Sequence, residues 1–247
     1  MEADGRPQRR PTSPWVYVGC GCGLAVVLAL AALTGLTYWG YQKGQELERT
    51  FKDPKARAEK TREVLPYREL PAGYYPAGSF SVPLLMEIAI IGDEEPRLGE
   101  SGESKEMSFN ERGFVYMNIR HLRNNKEQME RFLRGEGPAP EDSPWLKSGA
   151  SFDPKEIIRR GTVTASGRQV LYTASRGEIS RQGRGDDEGL VTMVMPRCAD
   201  NRLRFGLWFG PDPAPEKPIA EVDYTGTAAD PAAIAAFLGH FELCGRK

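Results

Sequence analysis

The sequence contains few of the residues from which catalytic and metal centres are most often built. Only two of its 247 residues are histidine and only four are cysteine. Neither His121 nor His240 belongs to a set of four histidine or cysteine residues at ligand spacing, which a structural zinc site normally has. The patterns GxGxxG, GxxxxGKS/T and GxSxG are also absent. We therefore predict no catalytic residue, no metal ligand and no cofactor.

An excess of either charge is also missing. The chain has 33 basic and 34 acidic side chains, a net charge of −1 and a pI near 6.2. A nucleic-acid-binding domain is expected to carry a basic stripe and a high pI, so we predict no nucleic-acid partner. The mean hydropathy of −0.49 indicates that the chain outside its one long apolar run has the composition of a water-soluble domain.

Charged residues are absent from Trp15 to Tyr41. A bilayer-spanning helix needs about 20 apolar residues, whereas the apolar part of a secretory signal has about 7–15. Aromatic residues at both ends of the run suit the two membrane interfaces. We therefore predict a retained transmembrane anchor, with the bilayer as a partner and a cytoplasmic tail at 1–14. Gly19 and Gly23 form a GxxxG pattern, which either pairs two such helices or is ordinary membrane-span glycine.

Residues 42–69 are rich in charge and poor in apolar side chains, which is typical of a solvated helical stalk. β-rich runs follow, among them SFSVP, LLMEIAII, RGFVYMNIRH, EIIRRGTVTA, RQVLYTAS, GLVTMVMPRC and RLRFGLWFG. Ser166-Gly167 predicts a two-residue hairpin connection between two of these runs. The polar segment GEISRQGRGDDEG is predicted to be a mobile loop.

Two helices are predicted among these strands. The segment NNKEQMERFLRG places three apolar side chains on one face and ends at Gly135. The segment DPAAIAAFLGHF has Asp230 as a cap and an apolar stripe for packing on a sheet. The element order predicts an α+β domain at 70–247, an antiparallel sheet covered by helices and preceded by one N-terminal transmembrane helix.

The opening GSFSVP, the strand meander and the terminal AAIAAFLGHF resemble the PsbP-like α/β sandwich domain over about residues 70 to 243. The resemblance rests on element order and these two short motifs. It implies an extracytoplasmic or accessory domain, commonly a binder or an assembly factor, and assigns no functional residue.

The run RLRFGLWFG alternates between two faces. Leu203, Phe205, Leu207 and Phe209 suit a core, whereas Arg204 and Trp208 lie on the opposite face. Arginine and tryptophan are enriched at protein–protein hot spots, so these two residues are candidate partner contacts. The alternative is that Trp208 packs beneath a helix, because buried aromatic side chains dominate cores.

Cys198 and Cys244 are the two cysteines outside the predicted anchor, and we predict that they form a disulfide if the terminal helix crosses the sheet. A disulfide requires an oxidising compartment, whereas the basic residues flanking the anchor leave its orientation open. The resulting expectation is a single-pass membrane protein whose extracytoplasmic domain, in the periplasm or at the cell surface, binds a partner or serves an envelope assembly without catalysis. A small-ligand sensor or carrier, and an enzyme whose site is built from scattered side chains, remain the alternatives.

Overall fold

In the part of the chain that the structure describes, seven antiparallel strands form one sheet. The strands are β1 (Tyr75–Val82), β2 (Met86–Gly92), β3 (Gly113–Ile119), β4 (Ser151–Ala165), β5 (Arg168–Arg181), β6 (Arg184–Pro196) and β7 (Leu203–Pro211). Their order across the sheet is β1-β2-β3-β7-β6-β5-β4, so β1 and β4 form its two edges. The computed structural model describes residues 53–96, 110–120, 123–137, 151–181 and 184–245. All of them belong to one compact unit, Thr50–Lys247.

The described residues include three α-helices, α1 (Pro54–Val64), α2 (Arg123–Arg134) and α3 (Pro231–Leu238). Asp53 and Asp230 cap α1 and α3, each by accepting a backbone N–H two residues on, and a proline follows each cap. This order of an acidic cap and then proline favours the first helical turn. Gly135 follows α2 with a φ of +79°, the left-handed conformation in which glycine ends many helices. The two helices predicted within the domain are therefore confirmed.

The connection between β4 and β5 confirms the hairpin predicted at Ser166-Gly167. Both residues have positive φ, 48° and 71°. Two residues with positive φ form the turn whose twist matches that of the flanking strands. The Ser166 hydroxyl also donates to the Phe241 carbonyl at 2.9 Å. The turn therefore helps to fix the segment that follows α3.

Both faces of the sheet carry an apolar core. α1 and α3 cover one face, which we call the α1/α3 face, and α2 covers part of the opposite face, which we call the α2 face. The centre of the sheet is β7, which is buried on both sides. A Cβ at Gly206 would lie 2.5 Å from the Phe114 ring, so glycine allows that ring to pack across β7.

The predicted α+β class is wrong, because the domain is mostly antiparallel sheet. The three described helices have 8 to 12 residues, whereas β4, β5 and β6 have 13 to 15. The polar segment predicted as a mobile loop largely continues β5 and β6, which pair as far as Arg181↔Arg184. Cross-strand hydrogen bonds extend the sheet through residues that carry little apolar signal of their own.

The prediction of a transmembrane helix, and with it the prediction of a single-pass membrane localisation, is also not supported. Among the residues that the structure describes, no helix is long and apolar enough to cross a membrane. Spanning takes about 20 apolar residues, more than any of the three helices contains. The proposed anchor between Trp15 and Tyr41, including Gly19 and Gly23, lies outside the described residues.

The described part of the predicted stalk, from Asp53 onward, packs against the sheet through α1. Arg57 and Thr61 are buried on its inner side. The Arg57 Nε donates to the Pro76 carbonyl at 2.9 Å, and the Thr61 hydroxyl donates to the Gly78 carbonyl at 3.4 Å. Both acceptors lie in β1. α1 therefore covers the first half of this edge strand.

Candidate functional site

The β1–β2 hairpin ends in an apolar turn. The Leu85 N–H donates to the Val82 carbonyl at 3.1 Å, with Pro83 and Leu84 between them. Leu84 has a φ of +67°, which type II turns require at their third position and for which they normally use glycine. Its side chain is 70% exposed and that of Leu85 is 57% exposed. We call Pro83, Leu84 and Leu85 the hairpin tip.

Neighbouring strands hold the hairpin tip in place. β1 pairs with β2 up to Val82↔Met86, next to the turn, and β2 pairs with β3 along its whole length. The Arg120 N–H, directly after β3, donates to the Leu85 carbonyl at 3.0 Å. The conformation of the turn is therefore supported on both sides, and the two leucine side chains are directed outward from an ordered base.

A charged group lies at the base of the hairpin tip. The Asn118 Nδ2 donates to Glu87 Oε2 at 2.7 Å, and the Arg120 Nη2 donates to Glu87 Oε1 at 2.5 Å. Glu87 and Asn118 face each other across β2 and β3. The side chains of Glu87 and Arg120 are partly exposed. The base therefore offers both signs of charge beside an apolar surface.

This charged group is not fully satisfied. Asn118 is only 5% exposed, and within the described part of the chain its Oδ1 and the Nε of Arg120 have no hydrogen-bond partner. The assignment of the Asn118 amide follows from chemistry, because the ionised Glu87 carboxylate only accepts and so requires the NH₂ group. An unpaired buried polar atom costs about 1–3 kcal/mol, and native structures contain few of them. Asn118 Oδ1 and Arg120 Nε are therefore the two atoms at the base of the hairpin tip that have unused hydrogen-bonding capacity within the described residues.

Arg204, one of the two predicted partner contacts, is buried on the α1/α3 face opposite Asn118 in the sheet. It is 4% exposed, and both terminal nitrogens donate to Asp200, at 2.5 and 2.7 Å. These hydrogen bonds lower the pKa of Asp200, against the smaller opposing effect of burial. The guanidinium is therefore used internally to hold the loop between β6 and β7.

Trp208, the second predicted contact, is part of the core. It is 8% exposed and stacks on Phe237 of α3, with ring centres 4.3 Å apart and planes 7° from parallel. Its indole N–H donates to the Tyr74 hydroxyl at 2.9 Å. This is the packing that the alternative interpretation of RLRFGLWFG describes. Neither Arg204 nor Trp208 presents a contact surface in this conformation.

Cys198 and Cys244 form a disulfide, with their Cα atoms 5.5 Å apart. The bond joins the end of the chain to the loop after β6. The adjacent Leu243 carbonyl accepts a hydrogen bond of 2.6 Å from the Tyr116 hydroxyl. Burial raises the pKa of Tyr116, so this hydroxyl remains a neutral donor. Together these contacts hold the terminal segment on the α1/α3 face.

Arg176 on β5 is a second buried arginine, and it belongs to a cluster in which the hydrogen bonds of the guanidinium are formed within the protein. Its Nε donates to Asp212 at 2.5 Å, its Nη1 donates to the Lys217 carbonyl at 2.6 Å, and its Nη2 donates to the Tyr224 hydroxyl at 3.0 Å. Each guanidinium nitrogen has a partner. The network fixes the long loop after β7, and among the described residues none of its side-chain nitrogens lacks a partner, unlike Nε of Arg120 in the group around Asn118.

A shallow cleft of about 370 Å³ lies beside the β4–β5 turn and the end of α3. Its lining includes Arg68, Glu69, Ser166 and His240. The His240 Nδ1 lies 3.2 Å from the Glu69 carbonyl and is exposed. His121 lies outside the described residues. Within the described ranges, no group of three histidine, cysteine or acidic side chains could hold a metal ion.

The sequence matches no protein-family model, and no curated protein matches it. The candidate site therefore rests on geometry alone. It consists of the hairpin tip with Glu87, Asn118 and Arg120 at its base, residues that sequence analysis did not select. A signal was present, because Val82-Pro83-Leu84-Leu85 joins two strands without the glycine, asparagine or aspartate that such turns prefer.

Proposed function

We propose that the domain is a non-enzymatic protein-binding module that docks through the hairpin tip. The observation that carries the proposal is Leu84, a leucine with positive φ whose side chain is 70% exposed. A left-handed backbone costs a residue with a Cβ roughly 1–2 kcal/mol. Glycine or asparagine would form the same turn more cheaply, so the choice of leucine has a reason outside the stability of the turn.

The surroundings of Leu84 have the composition of an interface. Leu85 and Phe80, which is 43% exposed, extend the apolar surface. Glu87 and Arg120 add partly exposed charges next to it. Protein interfaces combine an apolar centre with a polar rim in the same way. The resemblance to PsbP-like domains, which implies a binder or an assembly factor, agrees with this proposal and stays a prediction.

Site-specific photo-crosslinking tests the proposal. A photoreactive side chain replaces Leu85 in the full chain, expressed in its native host, and a matched probe replaces Ile157, an exposed apolar residue on β4. We expect the probe at position 85, and not the probe at position 157, to form a discrete crosslinked protein product.

A second variant separates binding from folding. Leu84→Asn keeps a residue that tolerates positive φ, so the free energy of unfolding should be unchanged or higher. In the background of the position-85 probe, the same substitution should abolish the crosslink. Equal crosslinking from positions 85 and 157, or a crosslink that survives Leu84→Asn, would contradict the proposed binding surface.

A further inference from the structure

The two edges of the sheet differ in how they resist pairing with another strand. On β4, Lys155, Glu156, Arg159 and Arg160 follow Pro154, and the pairing with β5 shifts register twice. Charges, proline and bulges are the features by which natural sheets protect an edge. The β4 edge is therefore well protected against a further strand.

β1 is protected over its first half only. Its register shift lies between Pro76 and Gly78, and the side chains of α1 bond to the carbonyls of these two residues. Beyond them, Ser79–Val82 pairs regularly with β2 and carries no charge. Within the described residues, no strand pairs with the outer side of this segment. The open half of the edge runs directly into the hairpin tip.

The charge pattern of this surface fits a copy of itself. In a two-fold dimer the same surface patch contacts itself, so that surface must be uncharged or carry both signs. From Ser79 to Leu85 the sequence has no charged residue, and the base of the tip carries one acid and one base, Glu87 and Arg120. Because Glu87 and Arg120 pair with each other within one chain, the surface that meets its copy carries no net charge.

The side chains along the open edge also suit antiparallel self-pairing. Residues opposite each other in such a pair point to the same face. Phe80 lies on the α2 face, in the row of Ile88, Met117 and Phe205, and its exposure marks the point where that apolar row ends. Ser79 and Ser81 lie on the other face, one on each side of Phe80. A copy of this strand would extend the apolar row with its own Phe80 and place serine near serine.

We propose that the partner at the hairpin is a second copy of this chain, docked about a two-fold axis at Phe80 by antiparallel pairing of the Ser79–Ser81 edges, with each hairpin tip packed beside the first half of β1 in the other copy. This inference rests on the proposed binding role of the hairpin and names its occupant. The dimer forms one sheet continued across the two copies.

Sedimentation equilibrium of the purified full chain over a dilution series tests the proposal. The wild type should show a concentration-dependent monomer–dimer equilibrium. Ser81→Lys places a charge on the open edge, and Leu84→Asn/Leu85→Ser removes the apolar tip. Each change acts twice in a two-fold dimer, so each should raise Kd by at least about tenfold. The matched control is Thr164→Lys, an exposed position on the β4 edge, which should leave Kd unchanged.

Two variants with opposite charges at the same position make the test specific for self-pairing. Ser81→Lys and Ser81→Glu should each weaken self-association, and an equimolar mixture of the two variants should associate at least as well as the wild type. A monomeric wild type, a dimer insensitive to the changes at positions 81, 84 and 85, or a mixture that does not associate overturns the proposal. If the wild type is monomeric but position 85 still crosslinks to a different protein, the binding role stands and only the second copy is excluded.

Discussion

The disulfide between Cys198 and Cys244 gives the most direct quantitative prediction. The perturbation is Cys198→Ser/Cys244→Ser, or chemical reduction of the wild type. The terminal segment keeps other contacts without the bond, because the Tyr116 hydroxyl still donates to the Leu243 carbonyl and the Glu242 N–H still donates to the Pro66 carbonyl. The native fold should therefore form, and the change should act mainly on the unfolded chain.

The magnitude follows from the length of chain between the two cysteines. They are 46 residues apart, and closing a loop of this length in the unfolded chain corresponds to about 4 kcal/mol at 25 °C in the chain-entropy model. Residual structure in the unfolded state reduces the effect, so we expect the double variant to lose about 2–4 kcal/mol of unfolding free energy.

Guanidinium chloride denaturation, followed by tryptophan fluorescence, measures this loss. The wild type is compared with and without reductant, and the double serine variant is the control, whose transition should not respond to reductant. The denaturant slope should increase when the bond is absent, because the unfolded chain exposes more surface. A loss below about 1 kcal/mol would refute the loop-closure argument. Alkylation of both thiols in unfolded, unreduced protein would refute the bond itself.

Two further predictions concern the predicted contact residues. Trp208→Ala should cost about 3–5 kcal/mol in chemical denaturation, because it removes a core ring stacked on Phe237. Trp208→Phe keeps an aromatic ring but removes the donor to Tyr74, so it should lose less unfolding free energy than Trp208→Ala. Equal stability of the wild type and the alanine variant would contradict the assignment of Trp208 to the core. The Arg204 hydrogen bonds lower the pKa of Asp200 in the folded protein. The ionised Asp200 therefore stabilises the fold fully above the pKa that it has in the unfolded chain, about 3.9, and this stabilisation is lost as pH falls through its pKa in the folded protein. The stability difference between wild type and Asp200→Asn should therefore be constant above about pH 5 and shrink below pH 4, and a pH-independent difference would exclude this ion pair.

Sequence patterns predicted the parts of the fold that local chemistry determines. Ser166-Gly167 indicates its turn because two consecutive residues must adopt positive φ, and Asp230 indicates the start of α3 because its side chain caps the first turn. The pairing of β3 with β7 is not determined by local chemistry. It joins residues about 90 positions apart, and no local signal specifies such a contact. Fold class was misjudged for a different reason, because cross-strand hydrogen bonds extend the β5–β6 hairpin through polar residues that carry little apolar signal.

The candidate site could not be identified from the sequence, because leucine occurs both in cores and at contact surfaces and composition does not distinguish the two. In the sequence, Leu84 and Leu85 continue directly into MEIAII and look like the start of a buried strand. In the structure that strand begins at Met86, and the two leucines belong to the exposed turn before it. Conversely, Trp208 resembles an interface residue in sequence and is core in the structure. Side-chain type alone therefore does not distinguish core from contact surface.

Backbone conformation makes that distinction. A buried leucine is explained by the core around it, and an exposed leucine with ordinary φ is common on protein surfaces. Leu84 has neither explanation, because it is exposed and has a backbone conformation that its side chain makes unfavourable. Stability alone would favour its replacement by asparagine or glycine. The unfavourable backbone conformation and the exposure of Leu84, at the end of an edge segment that lacks charge, are the observations that support the proposed docking role of the hairpin tip.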